Sequence, residues 1–387
     1  MHEKFIPLSV PQISGNEWKY TKECLDTGWV STAGPFVQKF EKTVADYLKV
    51  EEAVAVSSGT AALHTAFMVA GIKAGEEVIV PALTFAAPIN AICYVGAHPV
   101  FMDVSMQSWN LDVQKVTSFL AENCEVRGNV CYNKKTNRKI RAIVTVHLLG
   151  LCCDMDPILE LAGKYHLKLI EDAAEGMGVL YKGKSVGTFG DVGAFSFNGN
   201  KVVTAGGGGI LVAKNKKDLA YARYLSTQAK DDPLEYIHHE IGYNYRLTSL
   251  QAAVGRAQME QLDSFLEKKR QIAEYYKESF QNIEEITLMP EPDFCRATYW
   301  LYTVLVGEKR NLQERKKIIQ KLNEKGIGAR PFWHPVHKLA PFECFQSYKI
   351  ENAFSLYERG ICLPSSVGLG ADQLKRVVEG LKDALLC

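Results

Sequence analysis

The stretch Ala53-Val54-Ala55-Val56-Ser57-Ser58-Gly59-Thr60, followed by the apolar run Ala61 to Ala70 and closed by Gly71, decides the fold. Its first four residues read as a buried strand, the next four as a small polar turn, and the remainder as a helix stopped by glycine. A helix that opens directly off a strand offers free amide groups and the positive end of its dipole, which together form a seat for phosphate. Ser58-Gly59-Thr60 is equally an ordinary helix cap. By itself the stretch therefore sets an architecture and leaves the ligand open.

The same unit recurs along the chain. Val78 to Pro81 is a strand that runs into Leu83-Thr84-Phe85 and a helix from about Pro88. Pro99 to Val104 is a strand followed by a polar helix, and Ala142 to Val146 leads through His147 to a helix over Asp156 to Tyr165. Leu167 to Asp172, Gly193 to Phe197 and Ile210 to Ala213 are further strands. Strands alternating with helices predict an α/β fold with a largely parallel, doubly covered sheet. Outside this series, 17–27 and Phe36 to Leu48 read as helices, with the small-residue turn Gly28 to Pro35 between them. Glu122 to Arg141 breaks the pattern and reads as a surface insertion, with Lys134 to Asn137 as a hairpin turn. Leu250 to Phe280 reads as a long connector helix, 300–306 as a strand, 312–325 as a helix and Ala371 to Leu386 as a final amphipathic helix.

At 387 residues the chain exceeds the size of one hydrophobic core. We expect a large domain over residues 1–260, including an N-terminal arm, and a small C-terminal domain over 261–387. Lys plus Arg (45) nearly balances Asp plus Glu (44), so no basic field points to nucleic acid. No stretch approaches the length of a membrane span and no signal sequence opens the chain, so a cytoplasmic protein is expected, with no membrane partner. Ten cysteines lack paired metal-ligand spacing and read as free thiols, and no metal is expected. His334 and His337 lack a further ligand at a useful spacing and read as pocket or packing residues.

Three positions at strand ends bear chemistry. Lys201 sits between the apolar strand Gly193 to Phe197 and the glycines Gly206 to Gly209, a setting that predicts a partly desolvated amine able to form a Schiff base. Phe85 lies just past its strand, where it either stacks on a planar ring or packs as a buried phenylalanine. Glu171 and Asp172 end another strand, and we expect Asp172 to face the site, where a carboxylate keeps a pyridine nitrogen protonated. Phosphate seat, ring-stacking aromatic, carboxylate and amine together describe a pyridoxal phosphate site.

Over nearly its whole length the chain resembles the DegT/StrS family of sugar-nucleotide aminotransferases. The matching stretches are Gly28 to Pro35, Ser58 to Leu63, Pro81 to Phe85, Val146-His147-Leu148, Glu171 to Glu175, Ser196 to Lys201, and Gly242 to Arg246. The resemblance implies a fold type I transferase, with a seven-stranded, mainly parallel sheet and a smaller α+β domain. It implies that Lys201 carries pyridoxal 5'-phosphate as an imine and that Asp172 pairs with the ring nitrogen. Glu175 would lie near the ring hydroxyl, Gly59, Thr60, Ala61 and Ser196 around the phosphate, and Phe85 against the ring. Asn244 would reach the phosphate of a second subunit, making a homodimer with shared sites. Arg246, Trp333 and His334 are expected on the nucleotide-sugar side, and L-glutamate as the amino donor.

The family's usual Gly-Glu-Gly-Gly is here Gly206 to Gly209, which points to a subgroup. Resemblance within the family, carried by Ser196 to Lys201, the Cys124 to Arg141 insertion and Ala329 to Pro335, favours the enzymes that aminate C4 of a UDP-linked 2-acetamido-4-keto-6-deoxy hexose for bacillosamine- or legionaminic-type sugars. The alternative is a GDP- or dTDP-linked keto-deoxy sugar aminated at C4 or C3, as in perosamine-type enzymes. A non-catalytic regulatory protein on the same fold is a more distant reading, against which Lys201 argues. A nicotinamide-dependent oxidoreductase lacks its Gly-x-Gly-x-x-Gly after the first strand.

Overall fold

Seven strands with almost wholly buried residues form the centre of the molecule. In the computed structural model, which describes residues 5–232, 234–308 and 310–386, they are β1 (Val54–Val56), β2 (Glu77–Pro81), β3 (His98–Met102), β4 (Lys139–Val146), β5 (Lys168–Asp172), β6 (Val192–Ser196) and β7 (Gly209–Ala213). Their spatial order is β1-β7-β6-β5-β4-β2-β3. Continuous runs such as Val78 to Val80 and Ile143 to Val144 are buried because helices cover both faces, as in parallel sheets generally. All neighbours are parallel except β7, which is antiparallel to both β6 and β1. The reversal follows from the connection: β6 returns as β7 through a turn, Phe197 to Gly208, without a crossover helix. The carboxyl ends of β1, β2, β4, β5 and β6 consequently lie along one edge.

Three further strands extend this sheet beyond the expected seven. The Cys124–Arg127 and Val130–Asn133 strands form a hairpin that pairs onto β4, with Lys134 to Asn137 as the turn between Asn133 and β4. Its buried Cys124, Cys131 and Asn133 anchor it, so the insertion belongs to the sheet and is not merely on the surface. Ser347–Tyr348, from the C-terminal region, pairs in parallel with β3.

A second, antiparallel sheet is built from Ile286–Thr287, Tyr302–Val306, Gly360–Leu363 and Arg330–Pro331. Helices Leu312–Glu324 and Ala371–Leu385 pack on one another beside it. The single connector helix expected over Leu250 to Phe280 is two, Ser249–Met259 and Leu262–Phe280. At the break, the Gln258 and Gln261 side chains turn to Glu17 on the first helix, at 2.5 and 3.0 Å. The segment after the undescribed start threads the C-terminal region: Ile6 pairs with Ile327, and Ser365 N donates to Leu8 O at 2.8 Å. No described helix is long and apolar enough to cross a membrane.

Candidate active site

Helix Gly59–Val69 starts where β1 ends. Ser58 caps it by accepting the Ala61 amide at 3.0 Å, and the Gly59 and Thr60 backbone precedes that bond at the helix mouth. A Cβ on Gly59 would meet Ser196 Cβ at 2.7 Å, so only glycine lets the helix start close on the end of β6. Past Ser196 the chain turns tightly, with Lys201 N donating to Asn198 O at 3.0 Å. This turn directs Lys201 into a cavity of about 440 Å³ at the shared edge of the strands.

Gly59, Thr60, Phe85, Asp172, Glu175, Ser196, Lys201 and Trp333 all line that cavity. Ala61 lies one residue farther along the helix, buried behind the opening. Asn244, Arg246 and His334 are elsewhere. Arg246 bridges to Val56 on β1, Asn244 bridges to Thr227 at the surface, and His334 packs against Tyr357 at 4.7 Å. His337 is half-buried beside the Phe101 ring, 6.2 Å away, where desolvation pushes its imidazole down to about 4.

The lysine's setting differs from a purely apolar one. Lys201 Nζ lies 3.2 Å from Glu175 Oε1 and 3.8 Å from the centre of the Trp300 ring. An ammonium between a buried carboxylate and an indole face has both a counter-charge and a cation–π partner. Burial raises the Glu175 carboxyl, while the Lys201 charge and the Leu149 amide, 2.7 Å from Oε2, pull it back. Leu149 donates from a left-handed backbone, φ 58°, at the turn after β4, a rare conformation for leucine. Trp300 is fixed by its own indole N–H, which donates to Asn200 O at 2.6 Å.

At the end of β5 the two carboxylates part to opposite sides, as alternation along a strand requires. Glu171 faces away: it accepts from the Gly187, Phe189 and Gly190 amides and meets His147 Nε2 at 2.9 Å. Asp172 enters the cavity, held by the Ala174 amide at 3.0 Å. Burial pushes its carboxyl up to about 6, with Ala174 acting against the shift and the neighbouring Glu175 charge adding to it. Phe85 is 59% exposed, so the buried-packing alternative does not hold. It meets Trp333 edge to face across the cavity, ring centres 6.3 Å apart.

An amine beside two carboxylates, two hydroxyls at a helix mouth too narrow for a Cβ, and an exposed aromatic ring suit a flat, phosphorylated aldehyde. Comparison with known proteins agrees. The family model described as the DegT/DnrJ/EryC1/StrS aminotransferase family matches residues 11–382. The chain belongs to this family. It is a pyridoxal phosphate-dependent sugar aminotransferase.

Among relatives, a GDP-perosamine synthase of Escherichia coli O157:H7 is 39% identical over 381 residues, covering 98% of each chain. A UDP-4-amino-4,6-dideoxy-N-acetyl-beta-L-altrosamine transaminase of Campylobacter jejuni is 30% identical over 355 residues, covering 91% of this chain and 90% of the relative. The solved DegT DnrJ EryC1 StrS aminotransferase from Brucella abortus superposes with a TM-score of 0.86 at 27% identity, covering 95% of both chains.

Sequence reading missed Trp300 and Leu8, which line the cavity from the C-terminal region and the N-terminal segment. Neither carries a local signal. Trp300 falls at the start of the run 300–306, whose pattern reads only as a core strand, and lies just before the observed strand Tyr302–Val306.

Proposed function

We propose that this aminotransferase moves an amino group from L-glutamate to C4 of a GDP-linked 4-keto-6-deoxy hexose, as a homodimer that shares its sites between subunits. The observation that carries the chemistry is the single cavity in which Lys201 meets Glu175 and Asp172 beside the mouth of helix Gly59–Val69. The GDP-linked sugar, the alternative in our sequence reading, is preferred to the UDP-linked acetamido sugar because the 39% identical relative is a GDP-perosamine synthase. The altrosamine transaminase stands at 30%.

In this reading the amides of Gly59 and Thr60, with the Thr60 and Ser196 hydroxyls, bind the cofactor phosphate at the positive end of the helix dipole. Asp172, ionised, would pair with the pyridine nitrogen of the bound cofactor and keep it protonated. The cofactor, when bound, supplies the electron sink that makes the substrate's α-proton acidic. Lys201 Nζ would hold the cofactor, and its amine is the base that would take the substrate's α-proton and return it. Glu175 holds Nζ in place and balances its charge, and the Trp300 face keeps water off one side of it. Asn244 serves the partner's phosphate.

The deciding measurement is kcat/KM, with L-glutamate present, for GDP- and dTDP-linked 4-keto-6-deoxy hexoses and a UDP-linked 2-acetamido-4-keto-6-deoxy hexose. Discrimination is the ratio of these constants. We expect the GDP-linked sugar to lead; a higher value for the UDP-linked sugar would reverse the choice of nucleotide and leave the transamination intact.

A further inference from the structure

One charged group on the cavity wall has no part in the account above. Arg330 lines the cavity with Lys201, and these two are its basic residues among those described. Lys201 is already paired with Glu175. The Arg330 side chain enters no hydrogen bond or ion pair with any described residue.

Arg330, an exposed residue, lines the same cavity as the lysine. Arg330 begins the short edge strand Arg330–Pro331 and pairs with Cys362 of Gly360–Leu363, and Pro331 and Cys362 line the same cavity. Three residues on, Trp333 stacks on Trp300 with ring centres 6.1 Å apart and an interplanar angle of 23°, and Trp300 is the ring that covers Lys201 Nζ. The wall that carries Arg330 is therefore the wall against which the reacting amine rests.

We propose that Arg330 is the receptor for the α-carboxylate of the amino donor. This rests on the transamination from L-glutamate proposed above. The donor is an anion entering a cavity whose wall already presents Asp172 and Glu175, so an unpaired cation is needed to admit it. In an α-amino acid the carboxylate is bonded to the very carbon that bears the amine. Its receptor must accordingly stand next to Lys201. In the sugar substrate the diphosphate hangs from C1, across the hexose ring from the C4 that receives the amine, so a cation at the lysine end is badly placed for it. A guanidinium, planar and forked, matches a carboxylate through two parallel hydrogen bonds.

The test uses the holoenzyme and the variants Arg330→Gln and Arg330→Lys, with L-glutamate alone. The glutamate dependence of the shift in the cofactor's visible absorbance is read without any sugar. Half-saturation should rise about 10- to 150-fold in Arg330→Gln, the loss expected for a charge-assisted pair, and less in Arg330→Lys, which keeps the charge without the fork. Calorimetric binding of glutarate, a dicarboxylate that cannot react, should weaken in the same order. Preference for L-glutamate over 4-aminobutyrate, whose amine-bearing carbon has no carboxylate, should collapse in Arg330→Gln.

Unchanged glutamate dependence in both variants overturns the proposal, as does a KM for the nucleotide sugar that rises as much as that for glutamate. If Arg330→Gln does not fold, Arg330→Lys decides by the same criteria. A wrong choice of nucleotide leaves the half-reaction untouched, whereas glutamate that causes no shift in the unmodified enzyme sinks the donor and the proposal together.

Discussion

Asp172 illustrates at the residue scale how a carboxylate buried in the cavity wall strains the protein that holds it. Its buried carboxyl titrates near 6, above the ordinary value near 3.9. The folded chain thus binds this proton more tightly than the unfolded chain does. Stability from this group is fully present below the ordinary value, falls as pH rises from about 4 to about 6, and stays lower at neutral pH. Asp172→Asn keeps an oxygen for the Ala174 amide and removes the charge. Urea denaturation of the cofactor-free protein should show the variant more stable by up to about 3 kcal/mol at pH 7, with the gain vanishing near pH 4. Turnover should fall steeply, the usual opposition between stability and activity at a charged site. A gain that persists unchanged at pH 4 would mean that burial of the charge is not its source.

Among the elements, the mouth of helix Gly59–Val69 gives the sharpest forecast. Gly59→Ala puts a methyl 2.7 Å from Ser196 Cβ, and Ser196 belongs to a central strand that does not yield readily. The helix start should move off β6, so cofactor affinity should drop by about 10-fold or more while far-UV circular dichroism is unchanged. Equal affinity in Gly59→Ala would show that the phosphate does not depend on this close approach. The strands and helices were legible because each carries its own period and its own stops: Ser58 as cap, Gly71 as terminator, unbroken apolar runs for a sheet covered on both faces. Asp172 was legible for the same local reason, standing at a strand end. What escaped was set by distant contacts. Trp300 reaches Lys201 only because a C-terminal strand folds over the cavity, and the counter-charge that Glu175 gives Lys201 comes from a different strand end. The break after Met259 has neither proline nor glycine to announce it and coincides with contacts to Glu17.

For the whole molecule, the chain exposes apolar surface where a partner is expected to sit. Leu234 and Ile241 are each 83% exposed and Tyr236 is 68% exposed, all within the excursion between helix Lys216–Ser226 and Ser249–Met259 that also carries the exposed Asn244. A cluster of large apolar side chains on a surface loop marks an interaction site more often than it decorates a monomer. Asn244 lies outside the cavity of its own chain, so any contact it makes with a cofactor phosphate must be with another copy, and two-fold symmetry makes each chain both give and receive. Lys201→Ala removes the amine from its own site, and Asn244→Asp sets a negative charge against the partner's phosphate. Each homodimer should be nearly inactive. In a mixed dimer purified with two different tags, one site carries both defects and the other carries neither, because the intact Lys201 of one chain meets the intact Asn244 of its partner. Such dimers should recover about half the turnover of the unmodified dimer, with visible cofactor absorbance at one site in two. Mixed dimers as inactive as their parents would place each site within a single chain and leave the exposed loop without a catalytic reason.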